Sequence, residues 1–173
     1  MARATRLPVW LYAPNVIGYV RVAAGLAAFA AARDAGRWAE FFALYTASYA
    51  LDAVDGVAAR ALGQTSRLGA VLDMVTDRFC TAGLLAALAA LYPRAHAAFT
   101  YLLVLDVVSH WAQMYSSLVA GAGSHKAVAA GEPALLRFYY SAPYALFWVC
   151  ALSEGFLVML FLLAHEAAVV AAT

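Results

Sequence analysis

Charged residues are scarce in this chain. Aspartate, glutamate, lysine and arginine together make up 12% of its 173 residues, whereas soluble domains contain about 25%. This scarcity excludes an ordinary soluble domain. The formal net charge is only +1, which excludes the densely basic surface that binding to nucleic acid requires.

Cysteine is also rare, and the chain contains only Cys80 and Cys150. Both cysteines lie in apolar runs and lack the spacing of a zinc site or of a redox pair. We therefore expect both thiols in the core of the protein. They favour neither an oxidising nor a reducing compartment.

Hydrophobic residues, in contrast, make up 66% of the chain, and the mean hydropathy is +0.78. These values predict an integral membrane protein of the all-α class, a polytopic bundle of transmembrane helices. The apolar runs predict five spans, at residues 14–32, 38–62, 68–92, 97–122 and 143–164. The Ala/Val-rich tail after residue 164 is too short for another crossing. We expect residues 1–173 to form one domain.

The orientation in the membrane follows from the positive charges. The first span lacks a small-residue cleavage site, so we expect it to be retained. Loops on the side of the N-terminus hold six of these charges, Arg3, Arg6, Arg60, Arg67, Lys126 and Arg137, and the opposite loops hold Arg33, Arg37 and Arg94. Because positive loops stay in the cytosol, the N-terminus is predicted to be cytosolic.

Four aspartates lie near that predicted cytosolic surface: Asp52, Asp55, Asp73 and Asp77. Charges within apolar spans are costly and usually functional. The members of each pair are three or four residues apart, so each pair shares one helix face. A five-residue turn at 63–67 lets the two faces meet. Clustered carboxylate oxygens suit Mg²⁺ or Mn²⁺, and we expect two ions.

Residues around the aspartates complete the pattern of a phosphate site. Gly56 and Gly69 would allow a ligand or a facing helix to approach the backbone closely. Arg60, one turn beyond Gly56, carries a planar guanidinium that can bind a phosphate through two hydrogen bonds. Ser66 supplies a hydroxyl in the turn. The sequence therefore predicts a metal-assisted site for a pyrophosphate group.

The spacing of these residues resembles a known family signature. The pattern D-x2-D-G-x2-A-R-x8-G-x3-D-x3-D over residues 52–77 is similar, at every fixed position, to that of the CDP-alcohol phosphotransferase family. Four further segments resemble members that use inositol as the acceptor: YAPNVIGYVRV (12–22), LDVVSHW (105–111), SHK (124–126) and LLRFYYSAP (135–143). The resemblance covers nearly the whole chain.

This resemblance implies roles for the individual residues. Asp52, Asp55, Asp73 and Asp77 would bind two divalent metals, with Asp52 and Asp73 bridging, and Asp77 would also be the general base. The resemblance further implies that three residues contact CDP-diacylglycerol, namely Gly56, Arg60 and Ser66. Ser66 stands where the family is expected to have threonine, which keeps the hydroxyl.

The resemblance also implies substrates and a location. Myo-inositol would accept the phosphatidyl group of CDP-diacylglycerol, and the products would be phosphatidylinositol and CMP. The enzyme would lie in the lipid of the endoplasmic reticulum, with its site at the cytosolic ends of spans one to three, and would form a homodimer.

Other functions remain open. Family members usually have six spans and five are visible, so we expect the sixth to be lacking, which would allow an inactive relative. A sister transferase would use glycerol 3-phosphate, serine or choline, and a divalent-cation carrier would use the acidic faces as its pathway. We expect Arg21 to balance a buried carboxylate, and Asp106 to pair with His110.

Overall fold

The computed structural model describes residues 7–119 and 145–172. Within these ranges the chain forms five α-helices and no strand, which confirms the all-α prediction. The helices are α1 (Ala13–Ala31), α2 (Trp38–Ala61), α3 (Arg67–Leu91), α4 (His96–Val119) and α5 (Ala145–Ala172). Three short 3-10 helices are also present, at Val9–Leu11, Ala35–Arg37 and Pro93–Ala95.

Three of the helices contain a segment long and apolar enough to cross a membrane. These segments lie within Ala13–Ala31, Arg67–Leu91 and Phe147–Ala167, and they indicate an integral membrane protein. Helix α2 is of similar length, 24 residues, but Asp52 and Asp55 lower its mean hydropathy. The count of five spans stays a prediction.

The helix bounds agree with the predicted spans except at the end of α5. The predicted fifth span ended at residue 164, whereas α5 continues to Ala172. Residues 165–172 contain no glycine or proline that would stop a helix and include four alanines, which favour helix formation. The end of the predicted fourth span and the loop after it lie outside the described residues.

The chain divides into two compact units. The first is assigned Met1–Gly83 and His165–Thr173, and the second Leu84–Ala164. The prediction of one domain stays a prediction. In the first unit, His165 Nε2 on α5 lies 3.2 Å from the carbonyl oxygen of Ala32, so this histidine satisfies a backbone group at the end of α1.

Glycines let α1 and α3 approach each other closely in the first unit. A Cβ atom on Gly18 would stand 2.7 Å from Leu72 Cδ2, and one on Gly25 would stand 3.0 Å from Phe79 Cε1. Small residues permit such close packing between membrane helices. The contact fixes the register of α1 against the first turns of α3, which carry Asp73 and Asp77.

An aromatic cluster fills the other end of this unit. The ring of Phe29 lies between those of Phe41, Tyr45 and Phe79, with centroid distances of 6.0 to 6.3 Å. Aromatic pairs at such distances add to the energy of burial. This cluster joins α1, α2 and α3 away from the aspartates.

In the second unit, Tyr92 and His110 each contact a backbone carbonyl oxygen through a polar side-chain atom. Tyr92 Oη donates to the carbonyl oxygen of Leu160 at 2.7 Å. His110 Nδ1 lies 2.8 Å from the carbonyl oxygen of Asp106 and 3.4 Å from its Oδ1, which confirms the predicted pair on α4. Cys150 on α5 is exposed, so the prediction of a core position was wrong; a thiol is apolar enough to stand on an outward face of an apolar helix.

Candidate active site

The turn between α2 and α3 brings the two acidic helix ends together. Helix α2 ends at Ala61, and Gly63 in the turn that follows has a φ of +61°, a conformation that glycine adopts without strain. The N–H of Gln64 then donates to the carbonyl of Ala59 at 2.9 Å. Ser66 Oγ accepts the N–H of Gly69 at 2.9 Å, a helix N-cap that starts α3.

Three of the four predicted metal ligands converge. Asp52, Asp55 and Asp73 each offer a carboxylate oxygen, and these oxygens all lie within 4.8 Å of one another. Hard divalent cations prefer oxygen ligands of this kind, so the residues fit one such ion. Asp77, the fourth predicted ligand, is not part of this group of three. A second ion therefore stays a prediction.

Arg21 on α1 contacts all four aspartates. Its side chain is only 2% exposed, and its two terminal nitrogens divide the carboxylates between them. Nη2 lies 2.8 Å from Asp52 Oδ1 and 2.5 Å from Asp77 Oδ1, and Nη1 lies 2.7 Å from Asp55 Oδ2 and 3.2 Å from Asp73 Oδ1. One buried guanidinium thus links both acidic helices.

A reciprocal pair of hydrogen bonds holds Arg21 in this position. Its Nε donates to the carbonyl of Ser48 at 3.3 Å, and Ser48 Oγ donates to the carbonyl of Arg21 at 3.0 Å. Because Ser48 is also buried, these bonds anchor α1 against α2 one turn away from Asp52.

The sequence predicted only part of the role of Arg21. The expectation that it balances a buried carboxylate is confirmed, but it balances four. The available signal was the arginine itself, since a charge within an apolar span requires a partner.

The aspartates differ in how accessible they are. The side chain of Asp55 is 10% exposed, whereas those of Asp52, Asp73 and Asp77 are 31 to 40% exposed. A ligand can therefore reach three carboxylates from outside the unit. Asp55 is suited to hold Arg21 and a cation from within.

The predicted phosphate-binding residues lie at the same end of the unit. Arg60 is exposed, and its Nη1 lies 3.4 Å from the position that a Cβ on Gly56 would take. The absence of a side chain at Gly56 therefore gives the guanidinium room beside α2. Ser66, predicted to contact CDP-diacylglycerol, has a structural role as the N-cap of α3. These substrate contacts stay predictions.

The start of α1 is tied to the same turn, which sequence reasoning missed. Gln64 Oε1 accepts the N–H of Ala13 at 2.8 Å, so a side chain in the turn caps another helix. Asn15 is 1% exposed, its Nδ2 donates to the carbonyl of Val9 at 2.6 Å, and its Oδ1 lies 2.9 Å from where a Cβ on Gly69 would stand. Gly69 thus allows α1 to approach α3.

Two of the segments that carry the resemblance, SHK (124–126) and LLRFYYSAP (135–143), lie outside the described residues.

Aspartates from two consecutive helices thus meet across one short turn, as the resemblance to the family signature predicts. Residues 11–172 match the family model of the CDP-alcohol phosphatidyltransferases, and the chain belongs to this family. The prediction from the spacing of residues 52–77 is thereby confirmed.

Individual relatives are similar over most of the chain. CDP-diacylglycerol–inositol 3-phosphatidyltransferase of Saccharomyces cerevisiae is 46% identical over 160 residues, which cover 92% of this chain and 72% of the yeast protein. CDP-diacylglycerol–inositol 3-phosphatidyltransferase 1 of Arabidopsis thaliana is 44% identical over 95% of this chain and 71% of its own length. The Homo sapiens protein of the same type is 44% identical over 89% of this chain and 71% of its own length. No solved structure matches the chain.

Proposed function

We propose that this protein transfers the phosphatidyl group of CDP-diacylglycerol to myo-inositol, giving phosphatidylinositol and CMP. The observation that carries the proposal is the convergence of aspartates from α2 and α3 on one accessible cluster, within a chain 44 to 46% identical to transferases named for this reaction. The reaction class follows from the family, and the acceptor from these relatives.

The cation site consists of Asp52, Asp55 and Asp73, with Asp77 beside it. A bound Mg²⁺ or Mn²⁺ would neutralise pyrophosphate oxygens and stabilise the charge that develops on the departing CMP. The carboxylate oxygens of the three grouped residues, within 4.8 Å of one another, supply the hard ligands that either ion prefers. The choice between the ions, and a second ion that Asp52 and Asp73 would help to hold, are part of the proposal.

The remaining residues act on the organic substrates. Arg60, exposed beside Gly56, binds the pyrophosphate of CDP-diacylglycerol. Asp77 accepts the proton of an inositol hydroxyl, and its 37% exposed side chain is accessible to that hydroxyl. The hydroxyl oxygen bonds to the phosphorus that carries diacylglycerol, the phosphorus–oxygen bond to CMP breaks, and CMP leaves with the bonding electrons.

The surroundings of the site suit one lipid substrate and one water-soluble substrate. The aspartates lie at the end of α2 and the start of α3, next to the turn that Arg60 and Arg67 flank. Positive residues at membrane surfaces favour the cytosolic side. We therefore propose that the site faces the cytosol. From the resemblance to the family we also propose that the protein lies in the endoplasmic reticulum membrane and forms a homodimer. Cross-linking in native membranes would test the homodimer.

The test of the function is a transfer assay. Purified protein in detergent is supplied with CDP-diacylglycerol, Mg²⁺ or Mn²⁺, and one alcohol at a time, and CMP release is followed. We expect release with myo-inositol. Release only with glycerol 3-phosphate, serine or choline would replace the acceptor, and no release with any alcohol would contradict the proposal.

A further inference from the structure

Arg21 and a divalent cation require the same oxygens. The four carboxylates carry a formal charge of −4 and Arg21 supplies +1. The three residues suited to ligate a cation, Asp52, Asp55 and Asp73, are all partners of Arg21. A cation among them would lie a few ångströms from the guanidinium, and like charges at such a distance repel strongly where little water intervenes.

Burial prevents the guanidinium from avoiding this competition. Arg21 is 2% exposed, so no water is available to solvate it if it leaves the carboxylates. Its Nε bonds to the Ser48 carbonyl, and the packing of Gly18 against Leu72 and of Gly25 against Phe79 holds α1 against α3 on either side. The guanidinium must therefore share the carboxylates with an incoming cation.

Without a cation, the same contacts stabilise the cluster. Four carboxylates within reach of one another repel, and removal of the buried guanidinium that contacts all four would leave this repulsion largely uncompensated, which is destabilising. Arg21 is consequently favourable in the cation-free protein and unfavourable for cation binding.

We propose that Arg21 is a positioning residue that holds the four carboxylates together before a cation binds, and that it sets the cation affinity by competing for their oxygens. The inference rests on the proposed function only in taking the aspartates as the cation site. By this competition Arg21 raises the dissociation constant of the cation, so that a bound cation can leave again.

The test measures Mn²⁺ binding to the full chain in detergent, without substrate, by electron paramagnetic resonance of the free ion. Arg21→Gln is expected to lower the dissociation constant by about tenfold or more, which corresponds to about 1.4 kcal/mol. The same variant should melt at a lower temperature than wild type without Mn²⁺ and gain more from added Mn²⁺. A residue with only a structural role would not tighten binding.

Two further variants complete the design. Arg37→Gln is the control, because it removes an arginine from an exposed ion pair with Glu40. It should leave the Mn²⁺ affinity unchanged. Arg21→Lys keeps the charge, but one ammonium cannot contact four carboxylates as a guanidinium does, so its affinity should lie between wild type and Arg21→Gln. It also provides the test if Arg21→Gln does not fold.

Two results would overturn the inference: Mn²⁺ binding by Arg21→Gln that is unchanged or weaker than in wild type, or, if that variant does not fold, the same result with Arg21→Lys. Failure of the proposed function is distinguishable, because it would leave the affinity shift in place while the wild-type protein released no CMP with myo-inositol.

Discussion

Two arginine–carboxylate clusters of the first unit differ in what surrounds them. Arg37 contacts Glu40 through two hydrogen bonds of 2.6 and 2.9 Å, and both side chains are about half exposed, 49% and 48%. Arg21 is 2% exposed and serves four carboxylates. Water can replace either partner of the exposed pair, whereas it cannot solvate the buried guanidinium.

The difference shows that burial, together with an excess of carboxylates over arginine, makes a cluster suited to bind a cation. In the Arg37–Glu40 pair, one positive charge balances one negative charge. The cluster around Arg21 retains a formal charge of −3, so it favours a further cation, and three of its carboxylates can be reached from outside.

Removal of a ligand from the buried cluster should have the largest effect. Asp73→Asn should reduce CMP release by on the order of a thousandfold, because the loss of cation binding removes several kcal/mol of transition-state stabilisation. It should also weaken Mn²⁺ binding. The matched change in the exposed pair, Glu40→Gln, should alter neither quantity, and an equal loss in both variants would contradict the contrast.

Loss of the general base should separate catalysis from cation binding within the cluster. Asp77→Asn should lower the turnover rate by about a hundredfold or more, because the amide cannot accept the proton of the inositol hydroxyl. Mn²⁺ binding should be largely retained, since Asp77 lies outside the group of three ligands. Near-normal turnover with the cation bound would exclude Asp77 as the base.

The close approach of α1 to α3 should be sensitive to a single methyl group. Gly69→Ala places a Cβ 2.9 Å from Asn15 Oδ1, and Asn15 is fixed by its bond to Val9. We expect a loss of about 1–3 kcal/mol of stability, as for other overpacked sites, seen as a lower melting temperature in detergent. At Gly155 the added methyl group meets nothing within 4 Å, so Gly155→Ala should not lower it.

The cap that Gln64 provides should have the smallest effect. Gln64→Met removes the acceptor of the Ala13 N–H, and one lost hydrogen bond costs about 1 kcal/mol. We expect the melting temperature in detergent to fall by about 2–4 °C. Gln64→Glu keeps an acceptor oxygen and should restore the wild-type value. A defect of equal size in both variants would show that the cap is not what matters.

Much of the fold was predictable because apolar periodicity and helix length are local properties. Helix α2 ends one residue before the predicted position, and α3 begins one residue before it. The pairing of Asp106 with His110 was predictable for the same reason, since residues four apart on a helix are neighbours. The end of α5 was missed because the polar His165 and Glu166 interrupt the apolar run, although they do not interrupt a helix.

The candidate site was predictable where its residues are close in sequence. The aspartates are joined by one short turn, and their spacing alone places them on facing surfaces. Arg21 and Gln64 were harder to place, because Arg21 lies 31 to 56 residues from its four carboxylate partners and Gln64 lies 51 residues from Ala13. Such pairs depend on how α1 packs, which no local pattern specifies.

The sequence by itself determined an all-α membrane protein, its family, and a cluster of aspartates on two neighbouring helices. The fold class follows from hydropathy, the family from the resemblance of residues 52–77 to its signature, and the cluster from helical geometry over a single hairpin. Only the tertiary structure decided that Arg21 reaches all four carboxylates, because that contact requires the glycine-mediated approach of α1 to α3 and the hydrogen bonds with Ser48. Whether a charge is compensated depends on what packing brings beside it, and packing is a property of the assembled helices.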